Sequence, residues 1–252
     1  MISFVLPAYN EEANLPPLLE KIAAVMAESG RLYRVVAVND GSRDRTPQVL
    51  SELSARIPIE VVTHPINLGL PQTILDGLRY ASQGCDPGDI VITMDADNTH
   101  EPRYALELIR RVEEGCDVAI ASRYRPGAAE VGLSAHRRFL SKAVNVMLAA
   151  CLPIPGVRDY TCGYRAYRAS LLQQLFAVYG ERLIESTTFS AMAEILLKAG
   201  FLGLAAGEIP LVLRYDQKAG ASKMRVVRTI LDYLRMIASL WLRRRVTLRP
   251  AA

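Results

Sequence analysis

The sequence predicts an α/β fold: a mostly parallel, twisted sheet flanked by helices. Short Val- and Ile-rich runs alternate with segments of helical periodicity over about the first 120 residues, a pattern that implies right-handed crossovers. The run ends share one chemistry, each passing into Asn, Asp, Gly, Pro or Ser. The fourth run passes directly into Asp95-Ala96-Asp97.

The elements follow in order. Ile2–Leu6 reads as the first strand, and Leu15, Leu18, Leu19, Ile22 and Met26 then recur at helical spacing, with Pro16 and Pro17 tolerated in the first turn. Tyr33–Val38 and Ile59–Thr63 read as the second and third strands, with helical patterns over Thr46–Ala55 and Pro71–Ser82. Ile90–Met94, entered through Pro87-Gly88-Asp89, is the fourth strand. A helix over Pro102–Glu114 and a fifth strand over Val118–Ala121 complete the alternation.

Half of the 252 residues are hydrophobic and 22% are charged, which suits a globular domain with a sizeable core. A net charge of +4 is too mild to imply nucleic acid, although Arg137-Arg138 and Arg243-Arg244-Arg245 concentrate positive charge locally. The four cysteines form no C-x-x-C pair, so neither a zinc site nor a disulfide framework is expected. With no signal peptide, the expected compartment is the cytoplasm. The longest uncharged stretch, Ala143 to Val157, contains Asn145, Pro153 and Pro155 and falls short of a membrane span.

Asp95 and Asp97 carry the chemistry. Positions i and i+2 of an extended segment project to one side, so both carboxylates would leave the strand end together. That edge is where open α/β sheets bind ligands. Two adjacent carboxylates repel unless a cation lies between them, and hard oxygen ligands suit Mg²⁺ or Mn²⁺. The turn after the first strand, Pro7-Ala8-Tyr9-Asn10-Glu11-Glu12, has no dinucleotide-binding or P-loop glycine pattern. A cation would therefore hold a diphosphate in place of a glycine loop.

These residues resemble the family 2 glycosyltransferases of the GT-A fold. Within them the chain is most similar to the dolichol-phosphate mannose (polyprenyl-phosphate sugar) synthases. The resemblance covers residues 2 to 230. It rests on Leu6-Pro7-Ala8-Tyr9-Asn10-Glu11, Asn39-Asp40-Gly41-Ser42, Asn67-Leu68-Gly69, Asp95-Ala96-Asp97 and Ser122-Arg123-Tyr124. Arg137, Asp159-Tyr160-Thr161-Cys162-Gly163-Tyr164-Arg165 and Gly220-Ala221-Ser222-Lys223 point to the lipid-phosphate branch.

The resemblance implies that Pro7, Ala8, Tyr9, Glu11, Asn67, Gly69 and Ala96 line the nucleotide pocket, with Asp40 bonding the base. It implies that Asp95 and Asp97 hold Mg²⁺ or Mn²⁺. Arg123, Arg137, Ser222 and Lys223 would meet the phosphates, with Asp95, Asp97, Arg123 and Arg137 forming the catalytic set. Residues 1–215 would be the catalytic domain, and 216–252 an acceptor loop followed by an amphipathic helix. The chain departs from the family in two places. Thr99 replaces the usual Gln metal ligand, leaving Thr99, Asn98 or His100 as the third ligand, and Asn39 stands where Asp is common.

The implied reaction is metal-dependent, inverting transfer of a sugar from a nucleotide donor, GDP-mannose or a UDP-sugar such as UDP-glucose, to dolichyl or polyprenyl phosphate. A phosphate acceptor is already anionic and needs cations rather than a base, and Arg123, Arg137, Arg138, Arg165 and Lys223 are available. A hydroxyl acceptor would need a base, for which Asp159 and Glu185 are the candidates. A non-catalytic nucleotide-sugar-binding module is the third reading. A lipid acceptor calls for peripheral attachment to the cytoplasmic face of a membrane, alone or with a membrane-spanning partner subunit. Val227, Ile230, Leu231, Leu234, Ile237, Ala238 and Trp241 form an apolar stripe followed by arginines, as an interfacial helix requires. Phe139, Leu140, Val144, Met147 and Leu148 offer a second stripe.

Overall fold

The computed structural model describes residues 1–217 and 226–247. The Val/Ile/Ala runs form strands because both of their faces can be covered. β1 (Ile2–Ala8), β2 (Tyr33–Asp40), β3 (Ile59–His64) and β4 (Ile90–Thr93) are parallel wherever they pair with one another, and β4 and β5 (Val118–Ser122) are buried throughout. α1 (Leu15–Ser29), α2 (Thr46–Ser54), α3 (Leu70–Ser82) and α4 (Tyr104–Glu113) connect them. All five expected strands form. β1 and β2 run two residues past the expected ends and β4 stops one short, while α4 begins at Tyr104 rather than Pro102.

The later part of the chain finishes the sheet. β7 (Arg165–Arg168) inserts antiparallel between β4 and β5, and β8 (Ala206–Pro210) adds to β5 in parallel. The strand order is β3-β2-β1-β4-β7-β5-β8. β6 (Ala129–Val131) and β9 (Val212–Arg214) make a separate two-stranded ribbon. α5 (Ala135–Cys151), α6 (Ala169–Tyr179), α7 (Ala191–Phe201) and α8 (Val226–Thr247) complete the described structure. The four cysteines are free thiols.

Close packing fixes α3 against the sheet. A Cβ at Gly77 would lie 2.5 Å from Val5 Cγ1, and Val5 is fully buried on β1. Gly77→Val is therefore expected to cost about 1–3 kcal/mol, as overpacking of a tight core does. A urea midpoint that stays at the wild-type value would refute this close contact.

The two candidate membrane stripes differ. On α8, Tyr233, Met236 and Leu240 join the main hydrophobic core, whereas Leu231, Leu234, Trp241 and Leu242 are exposed. Ile230 and Ile237 are half-buried, and the side chain of Val227 lies outside the described residues. On α5 the expected stripe mostly faces inward. Leu148 is fully buried, Val144 and Met147 pack against the core, and only Phe139 of that set is strongly exposed. Core packing won there because α8 and the 152–164 segment cover that side of α5. Among the described residues no helix is long and apolar enough to cross a membrane.

Candidate active site

The sheet order places β2 and β4 on opposite sides of β1. Their carboxyl ends therefore part at a topological switch point, the usual crevice for a ligand in such sheets. Pro7 and Ala8 end β1 there and Tyr9 follows, and Asp95, Ala96 and Asp97 come after β4. Asn10 turns the chain with φ 53°, a conformation Asn tolerates better than most residues. Its side-chain oxygen accepts from Arg43 N at 2.8 Å, Asn10 N donates to Ser42 Oγ at 3.0 Å, and Glu11 N donates to Thr46 Oγ1 at 2.8 Å. The first and second strand-end loops are thus laced into one wall.

Asp40 builds the adjoining wall. Its carboxylate accepts from Leu68 N at 2.8 Å and Gly69 N at 2.9 Å, and meets His64 Nδ1 at 2.8 Å. Asn67 Nδ2 donates to Asp40 O at 3.2 Å. These bonds hold the Asn67-Leu68-Gly69 turn. Gly41 has φ 65°, and a Cβ there would fall 2.5 Å from the backbone of Ile66, so only glycine lets the two loops meet.

Asp95 and Asp97 sit in different surroundings. The Asp95 side chain is half-exposed, while Asp97 is buried. Asp97 Oδ1 accepts from Thr99 Oγ1 at 2.6 Å and from Thr99 N at 3.2 Å, so the Thr99 hydroxyl orients this carboxylate. His100 Nδ1 accepts from Asp95 N at 3.1 Å, which places the ring proton on Nε2, 4.0 Å from Asp95 Oδ2. The His100 ring stacks on Tyr164 with centroids 5.1 Å apart. His100 is therefore a brace for the loop, and Asn98, whose Nδ2 donates to Asn14 O at 2.8 Å, is turned toward α1. Among the described residues no group of three or more His, Cys, Asp or Glu could hold a metal. Two carboxylates beside a hydroxyl remain a hard-oxygen set that fits Mg²⁺ or Mn²⁺, provided a diphosphate completes the coordination.

Arg123, at the end of β5, is the centre of a buried network. Its Nε and Nη2 make a two-pronged pair with Asp159, at 2.8 and 2.7 Å, and Asp159 is fully buried. Nη2 also donates to Thr161 Oγ1 at 2.6 Å and Nη1 to Ser141 Oγ at 3.0 Å. Burial would raise the Asp159 carboxyl, but the Arg123 guanidinium and backbone N–H donors override it and hold it below the ordinary carboxylate range. Burial likewise opposes the charge on Arg123, and Asp159 more than restores it, leaving the guanidinium well above its usual value.

α5 brings Arg137, Ser141 and Asn145 to one face at i, i+4 and i+8. Arg137, in the first turn, is half-exposed and makes no hydrogen bond or ion pair among the described residues. Ser141 touches Arg123, and Asn145 donates to Thr161 Oγ1 at 3.0 Å and accepts from Tyr160 N at 2.6 Å. Ser141 and Asn145 were missed in the sequence, although a polar row at helical spacing in an apolar helix was the available signal. Ser222 and Lys223 lie outside the described residues.

Three expectations are corrected. Arg165 is fully buried, donating to Tyr160 O at 2.7 Å and Met192 O at 2.5 Å, so it braces the chain and does not reach a phosphate. Asp159 is sealed against Arg123 and cannot serve as a base for a hydroxyl acceptor. Glu185 is drawn to Lys198 at 3.1 Å, within a buried pair that Lys198 makes with Glu194 at 2.7 Å.

Comparison with known proteins identifies the family and the fold. The glycosyl transferase family 2 model matches residues 3–176. The dolichol-phosphate mannosyltransferase of Pyrococcus furiosus is 30% identical over 237 residues, covering 94% of this chain and 62% of the relative. The undecaprenyl-phosphate 4-deoxy-4-formamido-L-arabinose transferase of Pseudomonas aeruginosa is 37% identical over 179 residues, covering 70% of this chain and 50% of the relative. The chain thus spans between half and two thirds of the length of these curated relatives. Among solved structures, mannosyl-3-phosphoglycerate synthase from Rubrobacter xylanophilus superposes with a TM-score of 0.65 at 18% identity, covering 100% of this chain and 77% of that one. Glucosyl-3-phosphoglycerate synthase from Mycobacterium tuberculosis, in complex with Mn²⁺, uridine diphosphate and glucosyl-3-phosphoglycerate, superposes with a TM-score of 0.62 at 20% identity, covering 96% and 79%. The fold is the GT-A glycosyltransferase fold.

Proposed function

The chain belongs to glycosyl transferase family 2, and on that premise we propose that it moves a sugar from a nucleotide diphosphate donor onto a polyprenyl phosphate. Mannose from GDP-mannose is the favoured donor, in line with the name of the Pyrococcus relative, and a UDP-sugar is the second choice. Pro7, Ala8, Tyr9, Glu11, Asp40, Asn67, Gly69 and Ala96 would line the nucleoside pocket.

Asp95, Asp97 and Thr99 would hold a divalent cation, Mg²⁺ or Mn²⁺, which supplies Lewis-acid neutralisation of the departing diphosphate. The solved structure of the Mycobacterium synthase with Mn²⁺ supports a metal of this type. Thr99 fixes the rotamer of Asp97 and His100 the backbone of Asp95, so the two acids are set before a ligand arrives.

One observation carries the phosphate-acceptor reading. The two candidate bases, Asp159 and Glu185, are paired with Arg123 and Lys198, whereas Arg137 lies one turn before Ser141, the residue that touches Arg123, with its guanidinium uncommitted among the described residues. An anionic acceptor needs the second arrangement and not the first. Arg123 would act from within its pair with Asp159, and Ser222 and Lys223 would meet the acceptor phosphate. Labelled donor, Mn²⁺ and an extracted lipid fraction test this reading: label must partition into organic solvent. Label recovered only in water-soluble products would refute it.

Arg137→Ala should lower transfer to lipid phosphate by about 10²-fold or more while nucleotide-sugar affinity stays near wild type. Unchanged turnover would remove Arg137 from the site.

The exposed Leu231, Leu234, Trp241 and Leu242 support peripheral attachment of the chain to the cytoplasmic face of a membrane, with or without a membrane-spanning partner. Truncating α8 would also strip Tyr233, Met236 and Leu240 from the core, so the cleaner variant is Leu234→Glu with Trp241→Glu. Flotation on anionic liposomes should fall by about tenfold in that variant, because the loss of two exposed apolar side chains and the addition of two negative charges act together. Equal flotation would argue against attachment through this face.

A further inference from the structure

The segment between the 3-10 turn Gly180–Leu183 and α7 is held by two buried carboxylates from different helices. Glu194 of α7 accepts from Glu185 N at 2.9 Å and Ser186 N at 2.8 Å, and Lys198 neutralises it. Asp232 of α8 takes the rest. Its Oδ2 accepts from Thr187 N at 3.1 Å, Thr188 Oγ1 at 2.8 Å and Ser190 Oγ at 2.5 Å. Asp232 is 8% exposed, and these donors, with the Thr188 backbone N–H, outweigh its burial and hold the carboxyl below its ordinary range.

The loop leads straight to the metal-binding edge. Ser190 is the residue before α7, and Met192 in the first turn of that helix receives Arg165 on its carbonyl. Gly163 lies between Met192 and Asp95: a Cβ on it would be 3.9 Å from Met192 Cγ and 3.5 Å from Asp95 Oδ1. The next residue of α8, Tyr233, is buried near the Arg123–Asp159 pair, whose charges both act on it. Consecutive residues of one helix therefore hold the two flanks of the site, and the opposite face of that helix carries the exposed Leu231, Leu234 and Trp241.

We propose that Asp232 is a positioning residue: it latches the Thr187–Ser190 loop to α8, so that the seating of α8 sets the geometry of the α7 start beside Asp95. The loop would be firm only while α8 is docked. A helix that meets a bilayer through its outer face then transmits that contact inward through Asp232. The last step rests on the membrane reading above; the latch itself does not.

The test uses the full chain and two variants, Asp232→Ala and Thr188→Val with Ser190→Ala. The second removes the donors and leaves α8 intact, so it answers for the first if that variant folds poorly. Amide hydrogen exchange over residues 184–190 should rise about tenfold or more in both variants, while β1 to β5 stay protected. Turnover with undecaprenyl phosphate should fall about tenfold with the KM for nucleotide sugar unchanged, the signature of lost positioning. Flotation on vesicles of equal parts phosphatidylglycerol and phosphatidylcholine should be unaffected. Unchanged loop exchange, or turnover within about twofold of wild type, would overturn the latch. A parallel rise in nucleotide-sugar KM would also overturn it, because a general structural defect moves both. If wild-type protein transfers no sugar with any donor, the proposed reaction falls, and loop exchange alone still decides the latch.

Discussion

Asp97→Asn should lower sugar transfer by about 10²–10³-fold, the loss typical when one preorganised electrostatic group is removed from a centre where charge develops. The substitution is well suited to isolate charge. Asp97 Oδ1 accepts from Thr99 N and Thr99 Oγ1, and an amide oxygen can keep both bonds, so the loop should stay in place. Thermal stabilisation by Mn²⁺ with nucleotide should disappear in the same variant, whereas the melting temperature without ligand should change little. Full transfer by the Asn variant, or transfer that survives a chelator, would remove the divalent cation from the reaction.

Asp159→Ala should be the most destabilising single change near the site, by about 3–5 kcal/mol, since it strands a buried guanidinium. Arg123→Met should cost less. The carboxylate left behind still accepts from the backbone N–H groups of Thr161 and Cys162, at 3.2 and 3.0 Å, whereas a stranded Arg123 keeps the hydroxyls of Ser141 and Thr161 and one long-range carboxylate, Glu130 at 3.9 Å. Urea midpoints for the two variants check this order, and the reverse order would mean that the arginine is not held by Asp159. The pair also sets a pH dependence. The folded Asp159 carboxyl is held below its ordinary value, so its contribution is complete above the unfolded pKa of about 4 and is lost as pH falls through the folded value. Acid unfolding of Asp159→Ala should accordingly be shallower than that of the wild type.

The first five strands were legible because a strand buried on both faces must be apolar along its whole length, and Ile90–Thr93 and Val118–Ser122 are. β7 was not legible. Its sequence Arg165-Ala166-Tyr167-Arg168 has two arginines in four residues, and the burial of Arg165 depends on carbonyls at Tyr160 and Met192 that no local pattern reveals. The Asp-x-Asp pair could be read from spacing alone, since i and i+2 share a side wherever the chain is extended. The state of Arg123 could not, because Asp159, the partner that engages it, is 36 residues away. The α5 stripe shows the same limit: periodicity marks an apolar face but does not say whether protein or another phase covers it. On α8 the apolar row is split between core and surface, and the burial of Asp232 and Tyr233 depends on the 187–190 loop, which no periodicity within the helix reveals.

The antiparallel insertion of β7 governs when the protein can assemble. β4 and β5 do not touch; each hydrogen-bonds to a strand synthesised more than 40 residues later than either, so about 10 Å separates them across that slot. Until residue 168 has left the ribosome, the strand that ends at Ser122 has no neighbour on either side, since β8 comes later still. The first three parallel strands can form early, but the half of the crevice that holds Arg123 has to wait. A nascent chain halted near residue 160 should therefore protect the amides of β1 and β2 while leaving those of β5 open to solvent.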